Sequence, residues 1–183
     1  MIDQTFNTNN DKPIPKETHN IIRGIDINGN EIINQYTVLL DLGEGSFSRI
    51  KLFIDNNTNI QYAAKIINIK ELEKKRRGIK RTEQGKIIID SCLKNAMREI
   101  AILKRLNCYN IIHLNEIIYD DFHSRIYLIV EFAEQGQILE FDNEKEVFTI
   151  NKDLLLENRK AYYSEEEIRN YMKGICNAIN YRK

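Results

Sequence analysis

The sequence predicts an α+β fold, in which a small antiparallel sheet is accompanied by a few amphipathic helices. Short β-branched and apolar runs separated by turn residues occupy residues 36–69, and two more follow at 111–119 and 126–132. Between them, from residue 91, apolar residues recur every three or four positions, which is the helical period. The predicted order is three strands, a helix, two strands, a linker and a last helix.

Composition favours no particular partner. The chain has 183 residues, of which 42% are apolar and 30% charged, and 27 basic residues balance 27 acidic ones. These proportions are typical of a soluble globular protein. No apolar run has the length of a membrane helix, and the N-terminus shows no signal-peptide pattern. We therefore expect a cytoplasmic or nuclear protein with neither a nucleic acid nor a membrane partner.

Cysteine usage predicts no metal or redox centre. Cys92, Cys108 and Cys176 are widely spaced and form no Cys-x-x-Cys or Cys/His ligand motif. We expect reduced thiols that behave as small hydrophobic side chains.

Two segments are predicted to lie outside the packed structure. Residues 1–33 are polar and contain Pro13 and Pro15, and such a composition buries too little apolar surface to offset the entropy of ordering. We expect a flexible leader there, followed by a compact region at 34–133. Within that region, an insert at about 70–91 begins with many Lys and Arg residues and is predicted to be a solvated connection.

The C-terminal part is predicted to be a linker and a helix. Residues 134–163 form the linker, and the helix occupies residues 164–183. Ser164 followed by Glu167 is a capping box, which marks a helix N-terminus. The helix carries an apolar stripe made of Ile168, Met172, Ile175 and Ile179.

A glycine loop is the first candidate for chemistry. Gly43 and Gly45 stand between two predicted antiparallel strands, where backbone N–H groups can approach phosphate oxygens without a Cβ in the way. Because a strand follows, and no Gly-Lys-Ser/Thr ending is present, the loop is neither a dinucleotide fingerprint nor a P-loop. A tight hairpin turn with no ligand explains the glycines equally well.

Lys65 and Glu99 are the next candidates. Lys65 follows Ala63 and Ala64 in a strand expected to be largely buried, so it needs an anionic partner unless its amine reaches water at the strand edge. Glu99 lies between apolar positions of the predicted helix, near the face that packs on the sheet, although pairing with a cation of its own helix is the simpler explanation. As an ordered set, glycines, lysine and glutamate match the phosphoryl-transfer template, in which the glutamate orients a phosphate-gripping lysine.

Residues 35–181 resemble the N-terminal part of protein serine/threonine kinases, most of all the calcium/calmodulin-dependent protein kinase kinase group. The stretches 34–36, 99–106 and 135–140 carry this likeness. The insert fits too, although it has no proline, whereas the group's insert is rich in Arg and Pro. The resemblance implies a kinase small lobe with a five-stranded antiparallel sheet and one regulatory helix, then a hinge and the start of a large lobe.

The resemblance also implies roles for individual residues. Lys65 and Glu99 would be the catalytic residues of this part, Val130 a small gatekeeper, and Leu103 and Leu114 spine residues. ATP would be contacted by Leu42, Gly43, Glu44, Gly45, Ser46, Phe47, Ser48, Ile50, Ala63, Lys65, Val130, Glu131 and Ala133. The family's third loop glycine is replaced by Ser48, which is expected to stiffen the loop modestly.

The catalytic loop of the family is not found in these residues. Where the family continues with Leu-His and then His-Arg-Asp, this sequence reads Arg182-Lys183, so Mg²⁺ is implied only for a complete kinase. We expect the 183-residue polypeptide by itself not to transfer phosphate. The stripe of the last helix packs inside the large lobe in the family, and here we expect it to be uncovered and open to a partner or to self-association.

Two classes of function remain. The first is the ATP-binding part of a kinase that phosphorylates a protein hydroxyl, for example on another kinase. The second is a non-catalytic nucleotide-binding or regulatory fragment. A weaker alternative takes the basic run at 74–81 as a nuclear-import or nucleic-acid patch, but a solvated insert explains that run better.

Overall fold

The computed structural model describes residues 13–45, 48–74, 76–81, 87–142, 145–150 and 163–181. The chain divides into two compact units, Met1–Phe132 and Ala133–Lys183. In the first unit the helices are α1 (Ile69–Lys74) and α2 (Cys92–Leu103). Its strands are β1 (Lys16–Thr18), β2 (Arg23–Ile25), β3 (Glu31–Ile33), β4 (Tyr36–Glu44), β5 (Ser48–Asp55), β6 (Gln61–Asn68), β7 (Arg76–Arg81), β8 (Ile87–Ser91), β9 (Leu114–Asp120) and β10 (Arg125–Glu131).

One sheet of eight strands organises the first unit, in the order β1-β9-β10-β6-β5-β4-β3-β2. All neighbours pair antiparallel except β1 and β9, which are parallel. The predicted α+β fold is confirmed, and β4, β5, β6, β9 and β10 are the five strands that the sequence predicts. The sheet is larger than predicted because β1, β2 and β3 extend both of its edges.

The two faces of the sheet bury separate hydrophobic clusters, because successive strand residues point to opposite sides. The cluster on one face, here called the helix-side core, packs against α2 and contains Cys92, Ile100, Leu114, Ile117 and Leu128 among others. The cluster on the opposite face, here called the outer core, contains Ile33, Tyr36, Val38, Phe53, Ala64, Ile118, Tyr127 and Ile129. Both faces of the central strands are therefore covered.

The flexible leader predicted for residues 1–33 is wrong from Lys16 onward. β1 pairs with β9 at one sheet edge, whereas β2 and β3 form a hairpin against β4 at the other. Between the two edges, Ile21 packs against the outer core. Lys16 and Thr18 contact the Glu116 carboxylate, and Arg23 contacts the Asp120 carboxylate. Composition does not reveal such partners.

The insert also differs from the predicted solvated connection. Asn68 accepts a hydrogen bond from the Glu71 N–H and so caps α1, and Leu72 of this short helix is buried in the helix-side core. β7 and β8 then pair antiparallel as a separate two-stranded sheet. Apolar residues at 87–89 supply the strand-forming half of this hairpin.

The second unit contains a hairpin and a helix. β11 (Leu139–Asp142) pairs antiparallel with β12 (Val147–Ile150), and α3 spans Glu165–Tyr181. The predicted capping box is present: the Glu167 N–H donates to Ser164 Oγ at 3.3 Å, and the Ser164 N–H donates to Glu167 Oε2 at 2.8 Å. The predicted stripe of Ile168, Met172, Ile175 and Ile179 is 47–61% exposed. Among the described helices, none combines the length and apolarity needed to cross a membrane.

Candidate functional site

The registers of β5, β6 and β10 place several candidate residues on one face of the sheet. Lys65 lies opposite Ile50 on one side and Leu128 on the other. Ala63 lies opposite Val130, two residues from Lys65 and therefore on the same face. This face carries the helix-side core, so that Ile50, Ala63, Lys65 and Val130 share the side of the sheet on which α2 packs.

Lys65 and Glu99 meet at this face. Lys65 Nζ donates to Glu99 Oε1 at 2.8 Å, although the two residues are 34 positions apart in the sequence. Their side chains are 34% and 57% exposed, so Glu99 is more accessible than the sequence predicts. The neighbouring Ile100 is one of the two buried residues of the helix, with Cys92, and Glu99 lies at the margin of the packed face. Such exposed ion pairs contribute roughly 0.2–1 kcal/mol to stability, so this pair adds little to the stability of the unit.

The glycine loop connects β4 to β5 beside this face. The Gly45 N–H donates to the Ser48 carbonyl at 2.7 Å and closes the hairpin. The predicted contacts Ser46 and Phe47 lie outside the described residues. A Cβ added to Gly43 would have no atom within 4 Å, whereas one on Gly45 would lie 3.1 Å from Ser48 Oγ. Neither glycine is among the residues with positive φ, so the backbone conformation does not require glycine at Gly43. The effect of glycine there is the open space beside the backbone.

Leu42 and Glu44 flank this space on β4. Leu42 is 40% exposed and lies in an irregularity of the β4–β5 ladder, between Asp41 and Gly43. Glu44 is directed to Arg49, whose Nε lies 3.3 Å from Glu44 Oε1. The exposed apolar side chain of Leu42 is therefore adjacent to the backbone of Gly43, beside which no atom lies within 4 Å of the missing Cβ.

Val130 and Glu131 end the central strand β10. Val130 is half-buried and packs against the helix-side core, which also holds Leu103 and Leu114. The Glu131 N–H donates to the His113 carbonyl at 2.9 Å. Ala133, the last residue of the predicted hinge, is the first residue of the second unit.

Asp55, Glu116 and Asp120 are the buried carboxylates of the described residues, and no sequence motif marks the two least exposed of them, Glu116 and Asp120. Glu116 is 1% exposed and accepts hydrogen bonds from Thr18 Oγ1 at 2.5 Å, Tyr36 Oη at 2.8 Å and Gln35 Nε2 at 3.1 Å. Burial, then the hydrogen bond to Glu116, raises the pKa of the Tyr36 hydroxyl. An acidic residue within an otherwise apolar strand sequence is the one feature that indicates such a site, because a buried carboxylate requires hydrogen-bond donors from elsewhere in the fold.

Asp120, at 4% exposure, is nearly as buried as Glu116. Its Oδ2 lies 2.5 Å from the Arg23 guanidinium and 2.9 Å from His123 Nδ1. Burial on its own would raise the pKa of Asp120, but the His123 backbone N–H and the Arg23 guanidinium outweigh it and lower that pKa. Arg23 also donates to Tyr127 Oη at 2.8 Å, so one leader residue links both central strands β9 and β10.

The residues of the helix-side face fit a nucleotide polyphosphate. A partly exposed ammonium, held by a carboxylate, lies on the same sheet face as the small side chain of Ala63, while the hairpin leaves open space above Gly43. Within the described ranges, no group of three His, Cys, Asp or Glu residues is arranged to hold a metal ion.

Residues 36–182 match the protein kinase domain. The chain belongs to the protein kinase family. It is 32% identical over 132 residues to a probable serine/threonine-protein kinase of Dictyostelium discoideum, which covers 72% of this chain and 18% of that protein. It is 31% identical over 138 residues to a serine/threonine-protein kinase of Schizosaccharomyces pombe, which covers 75% of this chain and 20% of that protein.

Relatives from different kinase groups match at similar levels. A calcium/calmodulin-dependent protein kinase kinase of Caenorhabditis elegans is 29% identical over 120 residues, covering 62% of this chain and 22% of the relative. Human death-associated protein kinase 2 is 27% identical over 146 residues, covering 80% of this chain and 32% of the relative. The family is therefore shown, and the group within it is not. The chain spans about a fifth of the length of the first three of these curated relatives.

Proposed function

We propose that the first unit is the ATP-binding part of a protein serine/threonine kinase, which in the complete protein transfers phosphate from ATP to a protein hydroxyl. The observation that carries the proposal is the 2.8 Å contact between Lys65 and Glu99. In the kinase template a lysine on the third strand of the small lobe pairs with a glutamate of the neighbouring helix, and that lysine grips the phosphates. Membership of the family supports the same reading.

Each residue of the site has a distinct task in this proposal. Lys65 neutralises phosphate charge, and Glu99 keeps its amine directed at the phosphates instead of into solvent. The glycine loop covers the phosphates with backbone N–H groups, for which the open space at Gly43 leaves room. Ile50, Ala63 and Val130 supply apolar surface for the adenine ring on the same sheet face.

The proposal is tested by measuring ATP affinity of the 183-residue chain by titration calorimetry. Lys65→Ala is expected to weaken binding at least about tenfold, because a charge-assisted contact to phosphate is lost. Lys51→Ala is the matched control, since Lys51 lies opposite Ala64 and hence on the other face of the sheet. Its effect is expected to stay within about twofold. Equal losses in the two variants, or no ATP binding by the parent chain, contradict the proposal.

Within the family, we propose a place in the calcium/calmodulin-dependent protein kinase kinase group, with another kinase as the protein substrate. The stretches at 99–106 and 135–140 and the relative from Caenorhabditis elegans support this placement. Phosphorylation by the complete protein of a catalytically inactive calcium/calmodulin-dependent kinase, compared with a generic basic protein, tests it. A preference for the generic protein counts against the placement.

A further inference from the structure

Helix α2 is held by ion pairs on two different strands. Glu99 pairs with Lys65 on β6, whereas Lys104, just beyond the last residue of α2, donates from Nζ to Glu17 Oε1 on β1 at 2.9 Å. The Lys104 N–H donates to the Ile100 carbonyl at 3.0 Å, so the last helical turn includes Lys104. β1 and β6 are separated by β9 and β10, which places the two anchors about 14 Å apart across the sheet.

Strand β1 presents different side chains to the two faces of the sheet. Lys16 and Thr18 turn to the outer face, where both contact the buried carboxylate of Glu116 at 3.4 Å and 2.5 Å. Glu17 turns to the helix side, where it also accepts a hydrogen bond from Tyr119 Oη at 3.3 Å. β1 is thus bound on the outer face through the buried Glu116 carboxylate. Glu17, the only acidic residue of β1, is directed at the C-terminal end of α2.

We propose that Glu17 is a positioning residue: by holding Lys104, the strand β1 sets the rotation of α2 and so keeps Glu99 in contact with Lys65. This inference rests on the proposed role of the Lys65–Glu99 pair. If Glu17 has this role, the proposed nucleotide site also depends on the leader, which sequence composition predicts to be flexible.

The geometry of a helix explains why a second anchor matters. Glu99 and Lys104 are separated by about 140° around the axis and about 7.5 Å along it. Side-chain ends lie about 5–6 Å from that axis, so a rotation of about 30° moves the Glu99 carboxylate by about 3 Å. Such a displacement is as large as the 2.8 Å contact itself. Apolar packing of Ile100 and Leu103 holds α2 against the sheet, and the ion pairs on two strands add resistance to rotation about the helix axis at two separate points.

Both partners of the Glu17–Lys104 contact show the influence of the other. The hydrogen bond from Lys104 lowers the pKa of Glu17, and the hydrogen bond to Glu17 raises the pKa of Lys104. Each residue therefore keeps its charge over a wide pH range around neutrality.

The test measures how fast Lys65 of the full 183-residue chain is acetylated by acetic anhydride, followed by mass spectrometry of each lysine. The Glu99→Gln variant gives the rate for an unpaired Lys65. Glu17→Lys is expected to raise Lys65 labelling about two- to fivefold, toward the Glu99→Gln rate, because the helix end is repelled. Glu17→Gln is expected to do the same to a smaller extent. Exchanging the charges, with Glu17→Lys and Lys104→Glu together, is expected to restore the parent rate.

The matched control is Glu165→Lys, which breaks the exposed Arg169–Glu165 pair on α3 in the second unit. This variant is expected to leave Lys65 labelling unchanged. The inference is overturned if Glu17→Lys and Glu17→Gln leave the rate at the parent value, or if the exchanged pair labels as fast as Glu17→Lys alone. It also fails if Glu99→Gln does not raise the rate.

Because labelling requires no nucleotide, this result is separate from the proposed ATP binding. If the chain binds ATP and the Glu17 variants leave labelling unchanged, the inference fails alone. If labelling responds as expected and the chain does not bind ATP, the proposed function fails alone.

Discussion

At the scale of single residues, the candidate site depends on groups whose contributions to stability are small. The Lys65–Glu99 pair is partly exposed, and Gly43 contacts nothing through the position of its missing Cβ. None of these three residues belongs to either hydrophobic cluster of the sheet. Residues that contribute little to folding and share one sheet face are candidates for ligand binding. Substituting them distinguishes an effect on ligand binding from an effect on stability.

Gly43→Ala should separate stability from nucleotide binding. The added Cβ meets no atom within 4 Å and the backbone has no positive φ, so the melting temperature is expected to stay the same or to rise slightly, as for a glycine replaced inside a strand. ATP affinity is expected to fall several-fold, because the methyl group occupies the space proposed for phosphate. Thermal unfolding and calorimetric titration of the same preparation measure both. A lower melting temperature with unchanged affinity contradicts the assignment.

At the scale of elements, the leader strands complete the sheet through buried acids. Thr18 and Lys16 of β1 reach Glu116, and Arg23 of β2 reaches Asp120, so both edge additions are tied to β9. A buried carboxylate that loses its donors is strongly destabilised. The edge strands therefore supply the partners that the buried acids of β9 require, and Ile21 and Ile33 add apolar contact.

Acid stability should report the bond between Arg23 and Asp120. Because the folded-state pKa of Asp120 is lowered, its ionised form stabilises the protein above the unfolded pKa of about 3.9. That stabilisation is lost as the pH falls from there through the folded pKa. Arg23→Gln is expected to unfold more readily in urea at pH 7 and to lose less further stability between about pH 4 and pH 2.5. Urea titrations across that range measure the difference.

Arg49→Gln serves as the control for this experiment. Arg49 pairs with the exposed Glu44 at the glycine loop, whereas the Asp120 carboxylate is contacted by Arg23 and His123. Replacement of Arg49 is therefore expected to keep the parent pH dependence. The lowered pKa values of Glu17 and Asp26 contribute equally to parent and variants. Parallel acid profiles for the parent and Arg23→Gln would show that the guanidinium does not stabilise the Asp120 carboxylate.

At the scale of the whole molecule, the division at residue 132 separates two units of different character. Both hydrophobic clusters, the eight-stranded sheet and the candidate residues from Leu42 to Glu131 lie in the first unit. The second unit carries the exposed stripe of α3. The folding of the first unit is therefore expected to be independent of the second.

A polypeptide of residues 1–132 should fold on its own. Calorimetry is expected to show one cooperative thermal transition close to that of the full chain, because every residue of the two clusters is retained. Binding of a hydrophobic dye is expected to fall, since the exposed stripe of α3 is removed. A broad, non-cooperative transition would show that residues 133–183 stabilise the first unit.

The sequence alone determined the strands β4, β5, β6, β9 and β10, the helix α2, the capped start of α3 and the set of Gly43, Gly45, Lys65 and Glu99. These follow from local periods, turn residues and spacing, which each short segment carries by itself. Only the tertiary structure decided the paths of residues 16–33, the hairpin in the insert and the direction of Glu17. These depend on contacts such as Glu17 with Lys104, 87 positions apart in the sequence, and no local pattern specifies which distant donor a carboxylate will meet.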